Sequence, residues 1–106
     1  MSTQTPVVSK RSGAAFDVYI GRGSIWGNPF PIGPNATREQ VIVAFELHLL
    51  ASPKLLARVS ELHGKRLQCF CAPEPCHGDV LAHYADAFVT TGRPPAVSAY
   101  SAIYGG

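Results

Sequence analysis

Every cysteine of this 106-residue chain falls in one stretch, as Cys69, Cys71 and Cys76, followed at once by His77 and two residues later by Asp79. Thiols beside an imidazole and a carboxylate can attack an electrophile, move protons or hold a soft metal. Three readings of the cluster stand open. Free cysteine is among the most buried residue types, so Cys69 and Cys71 can simply pack in a core. Cys69, Cys71, Cys76 and His77 would also supply a full set of zinc ligands, but the spacing is not that of a finger or ribbon and adjacent ligands at 76 and 77 strain the geometry, so no metal is expected. In the third reading Cys71, Cys76, His77 and Asp79 line the reactive end of a metal-free site. A helix N-terminus there lowers a thiol pKa and His77 or Asp79 handles protons. Asp79 also has a structural explanation, because a carboxylate in the first turn of a helix interacts favourably with the helix dipole.

A second stretch is unusual in its backbone. Residues 21–34 hold four glycines and three prolines, beginning Gly21-Arg22-Gly23-Ser24-Ile25-Trp26-Gly27-Asn28. Glycines let backbone N–H groups approach an anion and Arg22 adds a forked cationic donor, so Gly21, Arg22, Gly23 and Ser24 suit a phosphate or ribose. Trp26 offers a stacking face and Asn28 a paired donor and acceptor, the means by which a planar base is held. The competing reading is a turn-rich connection with Trp26 plugging the core.

The elements that must position these loops can be read from the pattern. Residues 1–13 are polar and read as a flexible N-terminal arm, residues 14–91 as one domain, and residues 92–106 as a C-terminal extension without strong pattern. Residues 16–20 form a β-prone run that stops at Gly21. Thr37 and Gln40 make a capping box for a helix to about Ala51, apolar on nearly all sides except at Glu46 and His48 and so expected to be enclosed. Ser52-Pro53 starts a second helix that ends at Gly64. Residues 65–71 form the second strand, and from His77 a third helix carries Leu81, Tyr84, Ala85 and Phe88 on one stripe. His77 lies one turn before Leu81 on that stripe and should point inward. With helices crossing over between two parallel strands, both loops meet at the strands' C-terminal ends. The expected class is a small α/β domain, Rossmann-like and three-layered, with a short, mainly parallel sheet. His48, His63 and His83 are expected to be surface or satisfied residues.

The formal charge is +2, with only Lys10-Arg11 and Lys65-Arg66 adjacent among the basic residues, which is no nucleic-acid footprint. No run reaches the ~18 apolar residues of a membrane span, and three cysteines without an evident pair suit reduced thiols in a cytoplasm.

The two stretches together resemble a family of small bacterial and phage-encoded proteins, known as a domain of unknown function. Its members pair Gly-Arg-Gly-Ser-x-Trp-Gly-Asn-Pro-Phe with Cys-x-Cys-x-Pro-x-x-Cys-His-Gly-Asp. Here these are residues 21–30 and 69–79, and the likeness runs from about Val18 to Ala85. The resemblance implies phage or bacterial origin and one shared site; it brings no activity, and it leaves cofactors unknown. The sequence thus points to a protein recognising a nucleotide or nucleoside-type ligand at the joined loops, with hydrolysis or group transfer an open question. The alternatives are a non-enzymatic phage accessory protein that binds a host protein or sequesters a nucleotide, and a zinc-stabilised interaction module. A homodimer is a further open partner state.

Overall fold

Three short strands lie parallel in one sheet, in the order β1 (Val7–Ser9), β3 (Leu67–Cys69), β2 (Val18–Tyr19). The structure is a computed structural model and describes residues 5–9, 13, 15–21, 23–30, 33–34, 36–69, 77–93, 95 and 97. β3 is the central strand and all three of its residues are buried, Gln68 included. Val18 and Val7 both register with Leu67, so the two outer strands begin at the same level. A mixed α/β domain with a small parallel sheet is therefore observed. The two strands expected from the sequence are parallel neighbours, and the helices between them make the connection that a parallel pair requires.

β1 departs from expectation. Val7–Ser9 was expected to belong to a flexible arm, yet it forms an edge strand on β3, and a buried Thr5 ties it down. The Asp86 carboxylate accepts from the Thr5 backbone N–H at 3.0 Å and from the Thr5 hydroxyl in a short hydrogen bond. His63 Nδ1 lies 2.7 Å from the same carboxylate, and the Thr5 hydroxyl oxygen accepts from Gly64 N–H at 3.0 Å. At the opposite edge of the sheet, before β2, Asp17 receives both a two-pronged Arg66 guanidinium and the Arg66 backbone N–H. These bonds hold the Asp17 carboxyl down at about 2.

α1 (Arg38–Leu50) starts with the expected capping box: Thr37 accepts from Gln40 N–H while the Gln40 side chain accepts from Thr37 N–H. It buries Val41, Ile42, Val43, Phe45, Glu46 and Leu49, but Leu47 is 62% exposed and Leu50 also faces solvent, so the helix is not enclosed on all sides. α2 (Pro53–Arg58) is capped by Ser52 and then tightens into a 3₁₀ turn over Val59–Leu62, where one long helix was expected. In 3₁₀ geometry residues three apart eclipse, and that alignment puts both Val59 and Leu62 into the core. Gly64, at φ +75°, ends the segment as expected.

α3 (His77–Thr91) buries His77, Leu81, Tyr84 and Ala85 along the stripe read from the sequence. Tyr84 donates its hydroxyl to the fully buried Glu46 of α1 at 2.6 Å. Burial and this bond raise the Tyr84 phenol above its ordinary value, because both favour the neutral form. Among the described residues no single helix is long and apolar enough to cross a membrane.

Candidate functional site

The end of β2 and the start of α3 meet through one buried contact. Ile20 continues β2, donating its N–H to Gln68 at 3.0 Å, and its side chain is fully buried. Its carbonyl lies 2.7 Å from His77 Nε2. A carbonyl can only accept, so Nε2 carries the proton, and in a neutral ring Nδ1 keeps the lone pair. His77 is 6% exposed, and the Phe45 ring meets it edge-on with centroids 4.9 Å apart. The inward direction expected for His77 is thus observed, and it joins the glycine loop to the first residue of α3.

The loop that follows is held by its own side chains. Ser24 donates both its N–H, at 3.2 Å, and its hydroxyl, at 2.7 Å, to the Gly21 carbonyl. Gly23 sits at φ +92°, the conformation that a type II turn requires at its third residue and that other residues rarely adopt. Gly27 N–H then bonds the Ser24 carbonyl at 3.1 Å. The Asn28 amide donates to the Val41 carbonyl of α1 at 3.1 Å and accepts from Phe30 N–H at 2.9 Å.

Several expected roles change in this light. Trp26 does not present a stacking face: it is 4% exposed and packs in the core with Ile20, Ile42 and Phe45. Removing that much apolar ring from water outweighs leaving it open for a ligand. The Asn28 amide pins the loop to α1, and the Ser24 hydroxyl hydrogen closes the turn. Gly21 needs no unusual φ; it leaves room, because a Cβ there would fall within 3.0 Å of the Tyr19 ring and hydroxyl. Asp79 separates from His77. It lines a cleft of about 590 Å³ beside Thr5, Val7, His83 and Asp86, a cleft that His77 does not line. Arg22, Cys71 and Cys76 lie outside the described residues. Cys69 is buried at 2% exposure, as its packing reading has it, and among the described residues no His, Cys, Asp and Glu group could hold a metal.

Three residues at this end of the domain escaped the sequence reading. Phe45 is the ring against His77, Glu46 is the carboxylate beneath Tyr84, and Tyr19 is the ring over Gly21. Only Tyr19 carried a usable signal, since alternation along a strand puts residues 19 and 21 on one side.

α3 runs for 15 residues from His77. Its N-terminal partial positive charge lies at the end of β2, where His77 meets the Ile20 carbonyl.

Comparison with known proteins agrees with the resemblance to a phage-related domain of unknown function. The profile of the family described as Domain of unknown function (DUF4326) matches residues 7–87. The chain is also 42% identical over 73 residues to an uncharacterized 12.4 kDa protein in the nrdA-td intergenic region of Enterobacteria phage T4. That match covers 64% of this chain and 66% of the phage protein, just under two thirds of its length. No solved structure matches.

Proposed function

The chain belongs to the Domain of unknown function (DUF4326) family, and from its own geometry we propose that it is a small ligand-binding protein for an anionic nucleotide or nucleoside-type ligand. The ligand sits where the loop after β2 meets the N-terminus of α3. The observation that carries the reading is the buried Ile20 carbonyl to His77 bond, which fixes the strand end against the helix start. Ser24, Trp26 and Asn28 each fasten the same loop from within, so a glycine-rich segment that would be loose in isolation is preorganised. Preorganisation lowers the ordering cost of binding. Arg22 supplies the fixed charge, the helix N-terminus its partial positive charge, and any turnover beyond binding falls to Cys71, Cys76 and the Nδ1 side of His77. The parallel strands with a helical crossover and a site at their C-terminal ends support a reduced Rossmann-like, three-layer reading of the fold. The cysteine usage supports the cytoplasm, that of the host if a phage encodes the chain.

Thermal denaturation with a panel of nucleotides and nucleosides tests the proposal. A ligand that binds the native state alone raises the melting temperature. We expect such a rise for the wild type and none for Arg22→Ala, whose own melting temperature without ligand stays near that of the wild type. Absence of a rise with every panel member overturns the reading and favours the phage accessory protein that binds a host protein, in keeping with the similarity to a phage protein.

A further inference from the structure

The cleft of about 590 Å³ that Asp79 lines is an elongated groove. One wall is a face of α3, where Asp79, Ala82, Asp86, Ala87, Thr90 and Thr91 stand three and four residues apart along one side of the helix. The other wall is Thr5 and Val7, at the start of β1. Among the described residues β1 pairs with β3 alone, so the groove runs beside a sheet edge. We propose that this groove is the seat of the chain's own residues 98–106, docked in cis; the inference does not depend on the ligand-binding reading above.

Residues 98–106 lie outside the described residues, and three observations select them as the occupant. The first is where the chain leaves the helix. Thr91 lines the groove, and its hydroxyl oxygen accepts from Arg93 N–H at 3.2 Å in the turn that ends α3. The chain thus departs at the mouth of the groove. The second is length. From Thr91 back to Asp79 the helix covers about 18 Å, whereas nine extended residues span up to about 30 Å, so the segment after Val97 reaches the far end. The third is chemistry. From Pro94 through Gly106 there is no charged side chain, and residues 98–106 bring Tyr100, Ile103 and Tyr104. Ala82 and Ala87 stand midway along the groove, where small side chains leave room for rings. Asp79 and Asp86 beside them are carboxylates that accept hydrogen bonds, and the described lining residues include no Lys or Arg. Tyrosine suits such a wall, with an apolar body and a hydroxyl donor at its tip. Docked there, the segment covers the outer side of β1, as other proteins cover a sheet edge with a loop.

Nuclear Overhauser spectra and limited proteolysis of the intact chain test the proposal. Cross-peaks are expected from the ring protons of Tyr100 and Tyr104 to the methyl groups of Ala82 and Ala87. Ala87→Lys places a long charged side chain in the groove without opposing the helix. It should abolish those cross-peaks and speed chymotrypsin cleavage after Tyr100 about tenfold, because cleavage follows the undocked fraction. Ala87→Ser, which keeps the groove open, should leave both readouts as in the wild type. Ile103→Asp alters the segment instead of the groove and should release it equally, which covers the case in which Ala87→Lys does not fold. Absence of the cross-peaks in the wild type, or wild-type cleavage after Tyr100 as fast as in Ala87→Lys and Ile103→Asp, overturns the proposal. Cross-peaks that arise between differently labelled copies in a mixed sample and fade on dilution assign the groove to a second copy and overturn docking in cis.

Discussion

Replacing His77 by asparagine and by glutamine separates what its two ring nitrogens do. The asparagine amide occupies roughly the Nδ1 position and falls short of Ile20, whereas the longer glutamine places an N–H donor near the position of Nε2. In His77→Asn the Ile20 carbonyl, deep beneath a residue with no exposed surface, loses its 2.7 Å donor. An unsatisfied buried acceptor costs about 1–3 kcal/mol. Loss of the edge-on contact with Phe45, at 4.9 Å, adds about 0.5–1.5 kcal/mol. The sum is about 1.5–4.5 kcal/mol for His77→Asn, against about 0.5–1.5 kcal/mol for His77→Gln, which loses the ring contact but keeps a donor. For a domain of this size each kcal/mol shifts the melting temperature by about 4–8 °C, so the two variants should differ by several degrees at least. Urea denaturation at pH 7 gives the free energies, and a long-range proton–nitrogen correlation spectrum of the wild type should show Nε2 protonated. If both variants lose the same stability, or if His77→Asn loses less than about 0.5 kcal/mol, the bond to Ile20 does not hold the two loops together and the argument fails.

Other consequences can be measured independently. Tyr84→Phe removes the hydroxyl that Glu46 accepts from and should cost about 1.5–3 kcal/mol, the range for a bond to a charged partner; no loss would mean the pair is dispensable. The Tyr84 phenol is raised in the folded state, so its contribution is full below the ordinary phenol value near 10 and falls away as the pH rises beyond it. The alkaline decline in stability should accordingly be shallower in Tyr84→Phe than in the wild type. Asp17 shows the opposite sign: its folded value of about 2 lies below the ordinary 3.8, so its contribution is full above pH ~4 and is lost as the pH falls toward 2. Asp17→Asn should therefore flatten that part of the acid-unfolding profile, and an unchanged profile would count against the Arg66 pairing. Asp86→Ala deprives the Thr5 backbone and hydroxyl of their acceptor, so hydrogen exchange at Val7–Ser9 should accelerate while the amides of α3 keep their protection. Equal acceleration in both would show a global loss instead of a released strand.

What the sequence conveyed, and what it withheld, follows from the range of the interactions. Thr37 with Gln40, Ser52 with Pro53, and Gly64 act within a few residues, so their signals survive in a linear reading and both helix starts and the stop at Gly64 fall where they were expected. The inward turn of His77 was legible for a similar reason, as it shares a stripe with Leu81 and Tyr84. Val7–Ser9 gave no such signal. It is only three residues long, it stands among serines and threonines, and the groups that make it a strand are Leu67–Cys69 and Asp86, far along the chain. Glu46 stood out only as an exception on an apolar helix, because the hydroxyl that lets it be buried arrives 38 residues later. Trp26 and Asn28 have side chains equally suited to gripping a base or to fastening a loop, and composition cannot choose between these. The choice lies in whether α1 passes behind the loop, which is a property of the assembled fold.

The strand order β1-β3-β2 also governs when this protein can fold. Among the described residues both outer strands are made first and each pairs with Leu67–Cys69, the last described strand to leave the ribosome. Until then the Val7 and Val18 backbones have no sheet to join, and the pairings that finally form span 60 and 49 residues of chain. Contacts of such long sequence separation require the entropy of loop closure to be met before they contribute, which slows folding relative to a helical bundle of equal length. Helices α1 and α2 can form locally while synthesis proceeds, but their apolar faces then wait without a sheet to cover. Assembly is thus a late, concerted event triggered by β3, and the two halves of the candidate site come into existence in that same step.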